Sequence, residues 1–267
     1  MGLLFLGYGE TTKDDEQKTS ILTEAKELFA RVKNLSENIE LKQLALQMEA
    51  ACEMTMGNPN NVMTLLENEH KYRIHPSISA LISQSYQQLG KMQEAKSVLQ
   101  NGIFESVISL CYDMPSYLTM CTDDVAHFEE VCKRIIGVIE IFNVNKLSPV
   151  SILNLYLIAA RGYISFGNTE KALEMLETYA EIAANVSDMY PLAVKGDSFF
   201  FLIDEFHNKL LNERPFGMPE IPYDEQLVKQ EMADAVIKSP VFSDLIENKR
   251  FQSLTKKLKQ LQTKGGL

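Results

Sequence analysis

The stretch YISFGNTEKA, Tyr163–Ala172, sets an aromatic residue four positions before a glycine and nine positions before an alanine. The same skeleton stands at YQQLGKMQEA, Tyr86–Ala95. Around both copies apolar residues recur every three or four positions, the period of a helix with one buried stripe. Ile21, Leu22, Ala25, Leu28, Phe29 and Val32 form such a stripe, and others run through Leu41–Met56, Ile78–Leu89, Val125–Phe142, Ile152–Phe166 and Ala172–Ala184. Strand alternation and hairpin dipeptides between alternating runs are missing from the sequence. The fold class is therefore all-α. A glycine between two helical stripes allows a tight reversal, because a left-handed backbone carries no Cβ penalty there. Each skeleton thus predicts a pair of antiparallel helices, with the aromatic filling the wedge and alanine letting the axes approach.

Two degenerate copies accompany the full ones: Glu53/Gly57/Val62 in EMTMGNPNNV and Tyr117/Cys121/Ala126 in YLTMCTDDVA. Positions 57, 90, 121 and 167 are separated by 33, 31 and 46 residues. The first two spacings lie near the tetratricopeptide period of about 34 residues. The stretch YLIAARGYISFGNTEKALEMLETYA resembles such a repeat, with Tyr156, Ala159, Ala160, Tyr163, Gly167 and Ala172 at its packing positions. The expected architecture is a superhelical solenoid of tetratricopeptide-like hairpins, the rival being an ordinary helical bundle. The longest spacing predicts a lengthened helix around IGVIEIFNVNKLSP, and Pro115 predicts a kink or break in the third copy. Thr122 or Asp123, Asn58 and Asn168 are candidate helix caps.

With 267 residues, 45% hydrophobic and 23% charged, the composition is that of a foldable chain. No apolar run reaches the roughly 18 residues of a membrane span, so no membrane partner is expected. The opening MGLLFLGYGE lacks a basic leader and a cleavage site, and TTKDDEQK follows it. Cys52, Cys111, Cys121 and Cys132 are not paired as CxxC, which fits a reduced cytoplasmic setting. A formal charge of −10 repels a phosphate backbone, so the chain alone is not expected to bind nucleic acid directly. Lys249, Arg250, Lys256, Lys257, Lys259 and Lys264 concentrate positive charge in the tail, read as the cationic end of a solvated helix.

After the last clear repeat come one strongly apolar helix expected over Phe199–Leu211, a Pro/Gly loop over Arg214–Pro222, and two amphipathic helices. Phe199, Phe200, Phe201 and Phe206 are expected to seal the open face of the last repeat. The division expected is an extension or remnant over 1–13, a helical array over 14–213, and a loop with capping helices over 214–267. The blocks KGDSFF (Lys195–Phe200), LVKQEMADAVIKSPVF (Leu227–Phe242) and IENKRFQSL (Ile246–Leu254) resemble the C-terminal part of bacterial Xre-type helix-turn-helix regulators. In those proteins a DNA-binding module precedes tetratricopeptide-like helices. Nothing before residue 13 matches that module, so the resemblance implies its regulatory half, with the DNA reader outside this chain. It also implies a homodimer and a response to short peptides.

Enzyme signatures are missing from the sequence: no HExxH, G-x-S-x-G, GxxxxGK[ST], or GxGxxG after a strand. Glu67, Glu69, His70 and His75 lie close in sequence, but no further ligand joins them and a solvated loop is the better reading. The acidic pairs Asp14–Asp15, Asp123–Asp124, Glu129–Glu130 and Asp204–Glu205 are neighbours rather than opposed carboxylates. Met48, Met54, Met56 and Met63 read as core filler more readily than as an adaptable surface. No cofactor, metal or catalytic residue is assigned, and the chain is read as a non-enzyme. Aligned on the glycines, Gln84, Gln87 and Gln88 of one hairpin and Asn154, Leu157, Arg161, Ile164 and Ser165 of the last face the expected concave wall. Amides there can hold a peptide backbone and Arg161 a carboxylate. The functional expectation is a regulatory module binding a peptide or protein partner. The alternative is a free-standing tetratricopeptide adaptor.

Overall fold

A computed structural model describes residues 15–71, 78–186, 195–204 and 225–263, and no strand occurs among them. The chain forms two compact units, Met1–Pro76 and Ser77–Leu267, a division that falls inside the stretch expected to be one array. The first unit holds α1 (Asp15–Leu35), α2 (Ile39–Thr55) and α3 (Pro59–Lys71). Helix α2 packs on both of the others. Ala25, Phe29 and Cys52 are its buried centre, with Met48 and Met56 against them, while Met54 and Met63 are exposed.

The second unit begins with α4 (Ile78–Gln88) and α5 (Met92–Met120), then α6 (Val125–Ile141) and the single turn α7 (Val144–Leu147). It continues with α8 (Val150–Ser165), α9 (Thr169–Val186), α10 (Glu225–Ile237), a 3-10 turn (Pro240–Leu245) and α11 (Lys249–Thr263). Helix α5 packs against α4 and α8, α8 against α9, and α11 against both α9 and α10. One core runs through α5, α6, α8, α9 and the C-terminal helices, from Val107 to Leu258.

The glycine skeleton acts through backbone hydrogen bonds. Gly57, Gly90 and Gly167 have φ of 78°, 73° and 72°. Each glycine N–H donates three residues back, to Met54, Gln87 or Ile164. The next N–H donates five residues back, to the carbonyl of Glu53 (2.9 Å), Tyr86 (2.8 Å) or Tyr163 (2.8 Å). This is the Schellman pattern of a helix ending in a left-handed residue. The skeleton's first position is therefore the acceptor of the closing bond, which explains its fixed distance from the glycine. Ala95 and Ala172 are buried as expected, and so is Tyr163, while Tyr86 is half-buried. The third copy lacks this turn: Cys121 has φ −96°, and Asp124 rather than Thr122 or Asp123 caps the next helix by accepting from Ala126 and His127. Asn168 caps α9 by accepting from the Lys171 N–H (3.2 Å), and the Asn58 carbonyl accepts the first N–H groups of α3.

Four expectations are corrected. Helix α5 runs unbroken through Pro115, which is buried on the same stripe as Cys111 and Leu118. Packing holds together a segment that proline alone disfavours by about 3 kcal/mol. The extra residues before the last hairpin do not lengthen a helix: α6 ends at Ile141, and Asn143 reverses the chain at φ 53° before α7. Residues Phe199–Leu202 are bends and turns, so the helix expected from Phe199 is present only at Ile203 and Asp204 among the described residues, and 205–222, with Phe206, lies outside them. The phenylalanine seal also fails. Phe199 and Phe201 are 55% and 57% exposed, and Phe200 packs on Phe104 and Leu147 instead. Ala233, Val236, Phe242, Leu245, Phe251, Leu254 and Leu258 share the core of α8 and α9. Amphipathic helices bury a continuous stripe there, which a phenylalanine cluster on a turn cannot supply.

Candidate functional site

Helices α4 and α8 carry the expected wall residues. On α4, Gln84, Gln87 and Gln88 are all exposed, and the Gln87 amide donates to the buried Ser83 hydroxyl at 3.3 Å. On α8, Asn154 and Ser165 are exposed, the latter's hydroxyl donating to the Gly162 carbonyl (2.7 Å). Ile164 is half-buried against the core, and Leu157 is a core residue, so neither presents a free side chain. Helix α5 packs against both of these helices. What remains on α8 is a short polar ridge of Asn154, Arg161 and Ser165, spaced so that they share one helical face.

Arg161 is the unusual member. Its Nε is buried and has no hydrogen-bond partner, a state shared among the described side-chain atoms with Asn101 Oδ1. The nearby Tyr179 hydroxyl is pushed up to about 12, first by burial, with the Arg161 charge opposing that rise. Tyr179 donates to the Met232 carbonyl (2.9 Å) and so ties α9 to α10 beside Arg161. A half-buried guanidinium with an unused N–H can donate to an anionic or carbonyl oxygen, and its planar fork suits a carboxylate.

Behind the ridge the helix is set by close packing. A Cβ on Gly162 would lie 2.2 Å from the Phe128 ring, so glycine lets that ring rest on the α8 backbone. Phe128 meets Tyr163 edge-on at 5.2 Å and Phe166 at 5.3 Å. Lys171 lies over the Tyr163 ring and pairs with Glu129 (2.6 Å). Burial pushes the Tyr163 hydroxyl and the Cys132 thiol up, the latter to about 11. All four cysteines are buried free thiols, and burial keeps Cys111 and Cys132 un-ionised at neutral pH.

The other charged candidates are spent on structure. Glu130 pairs with Arg134 (2.8 Å). Arg250 bonds Glu177 through two nitrogens at 2.8 Å each and also meets Glu170. Lys249 and Arg250 thus stand in the first turn of α11, where cations oppose the dipole and the two glutamates offset them. Lys264 and His75 lie outside the described residues; Glu67, Glu69 and His70 fall in α3. No group of three or more His, Cys, Asp or Glu is arranged to hold a metal among the described residues, and no described helix is long and apolar enough to cross a membrane.

Two arrangements escaped sequence reasoning. Glu53, a charge at a packing position, is buried and satisfied by Lys26 (3.2 Å), Asn58 (2.9 Å) and Asn61 (3.1 Å). The KGDSFF block is a turn docked on α5, and its Gly-Asp pair was the available signal. No protein-family model, curated protein or solved structure matches this chain.

Proposed function

We propose that this chain is a regulatory protein-interaction module of tetratricopeptide-like hairpins, which takes the carboxylate of a peptide or protein tail on the α8 ridge. The observation that carries the reading is the unpartnered Arg161 Nε. A buried N–H without an acceptor is costly, and a ligand carboxylate on this half-buried guanidinium offsets that cost while Asn154 and Ser165 reach the adjoining backbone. The repeated glycine turns support a stack of hairpins, an architecture that offers long surfaces to extended chains. The role in a transcription regulator rests on the resemblance of the three C-terminal blocks. A helix-turn-helix partner domain and a homodimer belong to the same reading.

The test is a pool of labelled octapeptides with free C-termini, titrated against the chain beside the same pool amidated. The free-carboxylate pool is expected to bind in the micromolar range and the amidated pool at least about tenfold more weakly. Arg161→Leu is expected to abolish that difference while leaving thermal stability unchanged or raised. Equal binding of both pools, or an unaltered difference in the Arg161→Leu protein, would refute the carboxylate site.

A further inference from the structure

Residues 195–204 are held as a bound peptide is held. The main chain of Leu202 is clamped from α5: Gln100 Oε1 accepts its N–H (2.9 Å), and the Ser97 hydroxyl donates to its carbonyl (3.5 Å). Asn101 steadies the clamp by donating to the Ser97 carbonyl and hydroxyl, at 2.8 and 3.3 Å. These bonds read backbone and not side-chain identity. Specificity comes from two anchors. Phe200 and Ile203, 1% and 0% exposed, enter a small apolar cluster with Phe104 and Leu147. This cluster is separate from the main core and joins it through Ile108 and Phe142. The Phe200 ring meets Phe104 edge-on at 5.4 Å.

The third element is the turn that presents the anchors. Asp197 accepts from the N–H groups of Phe199 (2.9 Å) and Phe200 (2.8 Å) and from the Asn143 amide (3.2 Å). Those bonds, the Phe200 N–H foremost, outweigh partial burial and keep its carboxyl below the usual range. Gly196 donates to Asp204, and a Cβ there would lie 2.0 Å from the Phe200 carbonyl oxygen. One buried acceptor beside the clamp, Asn101 Oδ1, stays unpartnered with this segment in place.

From this arrangement we infer a second peptide-docking groove, formed by α5 and α7, which the chain fills with its own residues. A peptide of the pattern Asp-x-x-Phe-x-x-Ile, folded into the same turns, is the ligand class that competes for it. The groove is distinct from the Arg161 ridge, so the two readings stand or fall separately. A tethered segment competes at an effective concentration of the order of millimolar, so a free peptide gains the groove when the internal anchors are weakened.

The experiment uses the full chain and the labelled peptide KGDSFFFLID. The Phe200→Ala/Ile203→Ala chain is expected to bind it at least about tenfold more tightly than the unaltered chain, and adding Gln100→Leu is expected to cancel the gain. A peptide carrying alanine in place of that phenylalanine and isoleucine is expected not to bind. If the double variant loses its helical circular dichroism, Asp197→Ala, which leaves the apolar anchors intact, provides the same comparison with a smaller gain. Amide exchange at Leu202 in the unaltered chain, with and without peptide raised to about tenfold above that millimolar effective concentration, gives a readout that needs no substitution. Faster exchange with peptide supports displacement. Equal binding by every variant, or Leu202 exchange unmoved by peptide, would overturn it and leave the segment as a fixed part of the fold.

Discussion

The turn at Gly57 and the turn at Gly167 have the same backbone and opposite chemistry. Both close with the same pair of bonds, and the φ values differ by only a few degrees. Yet the residue that accepts the closing bond is Glu53 in one and Tyr163 in the other. Tyr163 is fixed by aromatic edges and a cation over its ring, whereas Glu53 is fixed by Lys26, Asn58 and Asn61. The turn thus constrains the main chain while leaving the side chain free to be apolar or ionic. A buried carboxylate is tolerated because each oxygen finds a partner, as buried charge requires.

The largest effect is expected from Tyr163→Ala. It removes a 5%-exposed aromatic between Phe128 and α9 and should cost about 3–4 kcal/mol in urea unfolding followed by circular dichroism. A loss under about 1 kcal/mol would mean that the wedge is filled some other way. Glu53→Ala should follow at about 2–3 kcal/mol, because it strands two asparagine amides and Lys26. The figure stays below that of a fully buried pair, since the Lys26 side chain is 31% exposed.

The same carboxylate gives the comparison a pH axis. Burial acts to raise the Glu53 pKa, but bonds from Asn61, Asn58 and Lys26 outweigh it and hold the carboxyl below its ordinary 4.5. A depressed folded-state value adds stability above the unfolded value, and that stability is lost as pH falls through the folded one. Glu53→Gln should therefore flatten the acid limb of the stability profile. Tyr163→Phe should leave that limb unchanged, because its hydroxyl is neutral throughout the range. A steep acid limb persisting in Glu53→Gln would assign the effect to other carboxylates.

The smallest effect tests what the two turns share. Gly57→Ala and Gly167→Ala should each cost about 1 kcal/mol and by nearly the same amount, the left-handed backbone being the sole penalty. A Cβ at either position meets nothing within 4 Å. A difference above about 1 kcal/mol would show that the side-chain environments reach into the turns.

Much of this molecule is legible in local sequence. The glycine turns, the Asn168 cap and the helical stripes all depend on residues within about five positions of one another, the reach of a helical hydrogen bond or a cap. The exceptions share a cause. Pro115 reads as a break until the buried stripe of Cys111 and Leu118 is seen to hold it. Of Phe199, Phe200 and Phe201, only the middle one is buried, because Asp197 fixes the turn that aims it at Phe104. Leu157 looks like a wall residue by its alignment on the glycines, and it is core because other elements cover that side of α8.

By itself the sequence determined that the chain is helical, where its tight reversals fall, and which side of each helix is apolar. Those are consequences of local sterics and of a 3.6-residue period. Only the tertiary structure decided that α5 would pack against both α4 and α8, that Arg161 would hold an unused N–H, and that residues 195–204 would dock on α5 and α7. Each depends on surfaces brought together from positions tens of residues apart, where packing and desolvation, not local propensity, set the outcome.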